Sequence, residues 1–562
     1  MSLAMVAIVA AVVLTAAYLT YGRFLARRFE LDPNAKTPAW TEGDGRDFIP
    51  TESKFLAGQH FSAIAAAGPI VGPILAGVAF GWGPALAWIL VGSILIGGVH
   101  DMAALVASIR HRARTIAEVV REHMSRRSYV LFLTFIWLAL VYIIVAFTDV
   151  TAQNFVGVRT LEGGHTVKGG GIATSSLLYL LLPLAMGFLL RYTKASLGLL
   201  TAIFLPLVAV AIWVGQAAPI ELGMPDAQAQ RLWGLVILGY CVLAAVAPIW
   251  ALLQPRGHLG GYFLAFFLAT GVFGLLFGGR TAEYPIYKGW TTAGGDTLAP
   301  LLFITIACGA CSGFHALIAS GTTSKQLQNE TDARPIGYGT MLLEAMVAII
   351  ALSTVMMLTP SDPLLSGGAV QPNFVFASGI GGYLGQVGVP IVFAVAIMLM
   401  AFTTFVYDTL DVCTRLGRYI VQELTGRHDR VGMWAGTLVT AAVPGFFLLA
   451  PSTPGKPAWM VFWQLFGASN QLLAALTLLG VTVWLWNTGR RWALAVTGLP
   501  CVFMYGMSVW ALTTLVLRNF RETGVTPVPV VGVVLLALAA MMAFEAIGAF
   551  TRPPRTSEAL PA

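Results

Sequence analysis

Charge is what this chain has least of. Only 10% of its 562 residues are Asp, Glu, Lys or Arg, against about 25% in a soluble globular protein. No polar stretch is long enough to hold a separate soluble domain. Cysteine is sparse: Cys241, Cys308, Cys311, Cys413 and Cys501 all fall in apolar segments, which gives no disulfide framework. Cys308 and Cys311 form a C-x-x-C with no second pair, and its small residues read as helix packing rather than redox chemistry. Walker A, G-x-S-x-G and H-E-x-x-H patterns are missing, so neither an enzyme nor an ATP-driven pump is expected. Paired haem or metal ligands are missing too, so no cofactor and no metal are expected. The net charge of +7 comes without a basic patch interleaved with aromatics, which excludes a nucleic-acid partner.

What is present is hydrophobic: 57% of the residues. A bilayer-crossing helix needs about 20 apolar residues. The runs predict an all-α polytopic membrane protein of about fifteen spans, near 3–22, 60–80, 84–109, 129–157, 174–190, 195–216, 231–253, 258–279, 299–321, 336–359, 386–414, 432–450, 458–486, 492–516 and 527–550. The run 458–486 has room for a half-helix plus a span. Ser2 to Tyr21 lacks a preceding basic region, so it reads as a first span rather than a cleaved signal. With the N-terminus outside, 25 of the 33 Lys and Arg fall in loops on the cytoplasmic side, as membrane orientation requires. Arg46, Arg552 and Arg555 are among them, while Arg518 and Arg521 run against the rule. The tail 551–562 reads as disordered.

The most informative local feature is the pair of Gly-Pro steps at Gly68-Pro69 and Gly72-Pro73 inside an apolar run. Proline removes a backbone donor, and lipid offers none in return. Unwound chain at that depth survives only inside protein or along a cavity. A broken helix is therefore a candidate binding site, as in many secondary transporters. Pro248, in the stretch from Ala247 to Trp250, sits five spans later and predicts a second interrupted helix. The segment from Phe303 to Lys325 is dense in small and hydroxyl residues. There Gly309, Ser312 and Gly313 bring backbones close, and Thr305, Ser312 and Thr323 offer oxygens. A third polar cluster, from Trp463 to Gln471, interrupts the thirteenth span.

Ionisable groups at membrane depth are costly and point to function. They are Asp101, His315, Glu344, Asp408 and Asp411, with His60 at the entrance of the broken span and Asp149 near the end of the fourth. Asp411 stands one turn from Arg415, a spacing that also suits a plain ion pair. His60, Asp101, His315, Asp411, Thr305 and Thr323 are the candidates for ion or proton coupling. Gly68, Pro69, Gly72, Pro73, Pro248, Trp250, Gly309, Ser312 and Gly313 are the candidates for substrate contact.

These motifs carry a family resemblance. Thr37-Pro-Ala, Asp44 to Thr51, Gly58 to Pro73, Phe303 to Thr323, Ile336-Gly-Tyr-Gly with Glu344, Asp411-Val-Cys-Thr-Arg415 and Leu465 to Gln471 resemble the carbon starvation protein A (CstA) family. Gln59 departs from it, standing where a second histidine often precedes His60. The resemblance implies a bacterial inner-membrane importer of peptides or pyruvate, used under carbon starvation and coupled to H+ before Na+. It implies a LeuT-like 5+5 inverted repeat: a peripheral helix at 1–22, a cytoplasmic loop at 23–58, repeats at 59–220 and 230–420, and peripheral helices at 431–550. A non-transporting nutrient sensor and a sodium-coupled carrier of another small carboxylate are the alternatives.

Overall fold

In the computed structural model, residues 1–44, 47–161, 164–248, 250–366, 370–449 and 458–551 are described. Arg46, Ile249, Arg552, Arg555 and the tail beyond Thr551 lie outside them. Among the described residues, 13 helices are long and apolar enough to cross a membrane. A bent pair, Ser53–Ile64 and Gly68–Phe80, adds a broken crossing with an angle of 49°. The all-α, multi-pass class expected from the sequence is the class observed.

The break in that first run follows from its prolines. Ser53–Ile64 ends as Ala65 leaves helical geometry at φ −77° and ψ 64°. The chain restarts at Gly68 with Pro69 in the first turn, where the missing donor costs nothing. Pro73, in the second of the paired Gly-Pro steps expected to interrupt the run, lies inside the continuing helix. Its absent N–H would have reached only the carbonyl of Pro69, in the first turn.

The second discontinuity is not where the sequence put it. Asp226–Val246 is one continuous helix. Pro248 is exposed in the loop after it, and Trp250 packs edge-on against Phe188 and Tyr192. A proline just past a C-cap ends a helix rather than interrupting one. The break falls instead in the small-residue segment: Leu298–Thr305 is followed by non-helical Ile306 to Ser312, then Gly313–Ile318 and a π-turn at Ala319–Thr323. Nor does the polar cluster at Trp463 to Gln471 interrupt anything. Ala458–Asn487 is a single 30-residue helix, and it is buried rather than peripheral.

The two breaks lie against each other. A Cβ added at Gly68 would fall on the Cys308 side chain, and one at Gly72 on the Thr305 carbonyl. At Gly309 it would lie 2.7 Å from Ala348 Cβ and 3.7 Å from Pro69 Cα. Glycine is needed at Gly68 and Gly72 because a side chain there would collide with the second broken run, and at Gly309 because it would collide with Thr340–Met356.

Around this centre, Arg126–Asn154 packs along Ile391–Thr425, and Ala458–Asn487 flanks the second broken run. Asp226–Val246 lies against Arg126–Asn154 and Arg430–Leu449. Gly169–Tyr192 and Leu197–Ala217 form a pair entered through a small antiparallel hairpin, Val158–Thr160 with Thr166–Lys168. Between the expected spans 336–359 and 386–414 the chain forms a further helix, Pro372–Gln386.

Gly72→Val should be destabilised by about 1–3 kcal/mol, the usual range for overpacking, because backbone cannot move aside as a flexible side chain can. Gly58, with nothing within 4 Å of an added Cβ, supplies the control Gly58→Ala, which should be neutral or better. Thermal unfolding in detergent compares the two.

Candidate functional site

Behind the facing breaks runs a string of buried ionisable side chains. Trp82–Arg110 is one crossing, with a π-turn at Ser93–Gly97 and helix again from Gly98. It carries His100 and Asp101. Asp101 Oδ1 lies 2.7 Å from His100 Nδ1, and Oδ2 lies 2.7 Å from His315 Nδ1 on Gly313–Ile318. The far nitrogen of His315, Nε2, faces Glu344 Oε2 on Thr340–Met356 at 3.2 Å. His100, Asp101, His315 and Glu344 are all fully buried. His60, at the end of the first half-helix, meets the Thr323 hydroxyl at 2.8 Å through Nδ1. Its Nε2, His100 Nε2 and Glu344 Oε1 are buried without hydrogen-bond partners.

Charges this far from water stay only when paired. The string does that with one imidazole between two carboxylates. With both acids ionised and His315 charged, these three groups carry one net negative charge. One further proton makes them neutral.

Asn470 joins the second break to its neighbour. Its Oδ1 accepts the Phe314 N–H at 3.0 Å, and its Nδ2 donates to Ser312 Oγ at 3.0 Å and to Cys308 Sγ at 3.4 Å. The side-chain amide of Gln471 donates to the Phe303 carbonyl. The polar cluster therefore serves the helix ends on either side of the second break, and the Ser312 and Cys308 side chains within it. Cys308 and Cys311 are both free thiols, in keeping with the packing role expected of them.

A second charged centre lies apart from the first. Arg256, on Leu253–Phe277, is fully buried. Its Nε donates to Asp408 Oδ1 at 2.7 Å, and its Nη1 donates to Asp411 Oδ2. The Tyr240 hydroxyl donates to Asp411 Oδ2 at 2.9 Å. Asp411 does not pair with Arg415 one turn on. Arg415 turns away to donate to the carbonyls of Ala244 and Ala247 at 2.7 and 2.9 Å, and Arg418 donates to that of Ala245 at 2.7 Å. The two arginines cap the end of Asp226–Val246. Asp149 accepts from the Trp459 N–H at 2.7 Å and from Gln230 at 2.8 Å, which anchors the start of Ala458–Asn487.

Of the residues singled out by sequence, Gly68, Pro69, Gly72, Thr305, Gly309, Ser312 and Gly313 gather at the breaks, with Pro73 one turn further along. Asp101, His315, His60 and Thr323 gather beside them. Asp411 belongs to the Arg256 centre, and Pro248 and Trp250 to neither. Sequence reasoning missed His100, Tyr240 and Arg256. His100 adjoins Asp101 within an apolar run and carried a readable signal. Arg256 looked like an ordinary loop charge beside Pro255. Outside both centres, His111, Glu122 and His123 form a group able to hold a metal ion.

Facing helix breaks with a buried acid–imidazole string behind them suit a multi-pass membrane transporter, and the relatives of this chain are transporters. The family model for carbon starvation protein CstA matches residues 2–371 and 365–511, and the chain belongs to that family. It is 33% identical over 554 residues to the peptide transporter CstA of Campylobacter jejuni, covering 87% of this chain and 76% of that one. It is 30% identical over 603 residues to the pyruvate/proton symporter BtsT of Escherichia coli, covering 88% and 79%. Among solved structures it matches the Eremococcus coleocola manganese transporter, with 15% identity, a TM-score of 0.45 and coverage of 90% and 97%.

Arg256→Met strands two buried carboxylates and should cost about 3–5 kcal/mol. Replacing Asp408 and Asp411 by Leu in the same chain should recover much of that loss. Melting midpoints of the single and triple variants measure both effects.

Proposed function

We propose that the protein imports a small carboxylate-bearing substrate, a peptide or pyruvate, across a bacterial cytoplasmic membrane by proton-coupled alternating access under carbon starvation. The observation that carries the reading is the string from His100 to Glu344 placed directly against the two breaks. Unwound backbone beside Gly68 and Gly309 supplies polar groups to a substrate carboxylate. The string beside it takes or gives the coupling proton.

Proton coupling is favoured over sodium by the state of the hydroxyls. The buried ionisable string adjoins the breaks, whereas two of the three candidate hydroxyls already have partners, Thr323 with His60 and Ser312 with Asn470. The name of the relative BtsT supports the same choice, and the names of the CstA relatives support peptides.

In this reading each half begins at a broken run. The first half is Ser53 to Phe80, Trp82–Arg110, Arg126–Asn154, Asp226–Val246 and Leu253–Phe277, with the pair Gly169–Tyr192 and Leu197–Ala217 inserted. The second is Leu298 to Thr323, Glu330–Met356, Ile391–Thr425, Arg430–Leu449 and Ala458–Asn487. This division replaces the one at 59–220 and 230–420. Matched packing supports it: each broken run lies against the second helix of the other half and the fifth helix of its own. The third helices lie against each other, as do the fourths. By the distribution of basic loops, the N-terminus is outside and the C-terminus cytoplasmic.

Counterflow in proteoliposomes, with pyruvate set against di- and tripeptides, tests the substrate. Asp101→Asn should abolish uptake driven by a pH gradient. Glu344→Gln, a fixed neutral mimic, should keep exchange but lose accumulation. Normal proton-driven accumulation in Asp101→Asn would reject its place in the coupling.

A further inference from the structure

The end of Trp82–Arg110 and the short helix after it make a second chemical site, far in sequence from the broken runs' motifs. His111 is the residue that closes Trp82–Arg110. Arg112 and Ala113, at φ 57° and 53°, turn the chain back sharply. The Thr115 hydroxyl then accepts the Glu118 N–H and starts the helix Ile116–His123. The result brings His123 onto His111, although twelve positions separate them.

The ring geometry is directed. His111 Nδ1 lies 2.6 Å from the Ala107 carbonyl, so that nitrogen carries the hydrogen. This leaves the His111 Nε2 lone pair aimed outward, at His123 Nε2, 2.8 Å away. A histidine whose second nitrogen is held by a backbone carbonyl has the usual arrangement of a metal-ligating ring. The Glu122 carboxylate joins the two imidazoles, and all three ligand atoms lie within 4.8 Å of one another. Trp484, on Ala458–Asn487, packs against both rings, with centroids 5.3 and 6.5 Å away, which limits their rotation. Two imidazole nitrogens on one tetrahedral zinc lie about 3.3 Å apart, given bonds of about 2.0–2.1 Å. A small outward shift of either ring reaches that spacing.

We infer that His111, Glu122 and His123 bind a divalent cation of the zinc class. Two imidazoles select a borderline transition metal over Mg2+ or Ca2+, which take oxygen ligands. Three protein ligands leave a fourth position for water. A bound ion ties the end of the helix that bears Asp101 to Ile116–His123. Through Trp484 the same ion site touches the helix that bears Asn470. The site therefore sits where it can stiffen two walls of the transport centre without entering it.

The test uses the full chain in detergent, stripped with EDTA and titrated with Co2+ alone, then Zn2+ alone. The expected result is one Co2+ per chain with visible ligand-field bands, displaced by Zn2+, and a melting midpoint raised by Zn2+. His123→Gln should weaken Co2+ binding by roughly 100-fold, at or beyond the 10- to 100-fold range for loss of a supporting partner. His165→Gln, at an exposed position in a loop, should leave it unchanged. His111→Gln, checked for a single monodisperse species, should behave as His123→Gln does. Absence of Co2+ bands in the wild-type chain, or bands that persist in His123→Gln, would overturn the assignment. Persistence would place the ion elsewhere, while transport by the proton-coupled route is measured independently of either result.

Discussion

Everything in this molecule turns on main chain that has left its helix inside an apolar medium. Lipid gives such N–H and C=O groups no partner, so the protein must. It does so by setting one unwound segment against another. The two broken runs meet at Gly68, where an added Cβ would fall on the Cys308 side chain, and at Gly72, where it would fall on the Thr305 carbonyl. Asn470 and Gln471 reach in from a continuous helix to occupy part of what remains. The same economy holds at the other charged places. Arg415 and Arg418 close the carbonyl end of Asp226–Val246, Asp149 meets the start of Ala458–Asn487, and Arg256 balances Asp408 and Asp411.

The two buried charge centres differ in kind. Around Arg256, one guanidinium faces two carboxylates and a tyrosine hydroxyl. The guanidinium stays charged at any relevant pH, so the centre fixes helix positions. Around His315, the central group is an imidazole between two carboxylates, and all three groups can exchange a proton. Its two carboxylates come from different helices, Asp101 from Trp82–Arg110 and Glu344 from Thr340–Met356. His315 itself stands just after the second break. Under the proposed proton coupling, a proton gained or lost there changes the attraction among three elements that border the breaks.

Much of this was legible in the sequence. Scarce charge and long apolar runs gave the class, and Gly68-Pro69 gave the first break. Asp101, His60 and His315 stood out because ionisable groups at that depth need a reason. The second break was misread because proline is a louder signal than glycine. Pro248 lies past a helix end, where it interrupts nothing, while Ile306 to Ser312 unwinds without any proline. Small residues alone look like packing until a partner's unwound chain is known to lie against them. Asp411 was matched to Arg415 because spacing within one helix is visible in a sequence. Its real partner, Arg256, comes from a helix well over a hundred residues earlier, and no local pattern reports that contact. His111 and His123 are likewise joined by a turn whose sharpness rests on the backbone of Arg112 and Ala113.

In the proposed transport cycle, a proton held beside the breaks and a cargo held between them share one free energy. Linkage requires that binding one changes the binding of the other. Protons taken up or released when substrate is added to weakly buffered, detergent-purified protein measure this directly. The account predicts an exchange that varies with pH, approaches about one proton per chain at its maximum, and vanishes in Glu344→Gln. Saturable substrate binding with no proton exchanged at any pH between about 5.5 and about 8 would contradict it.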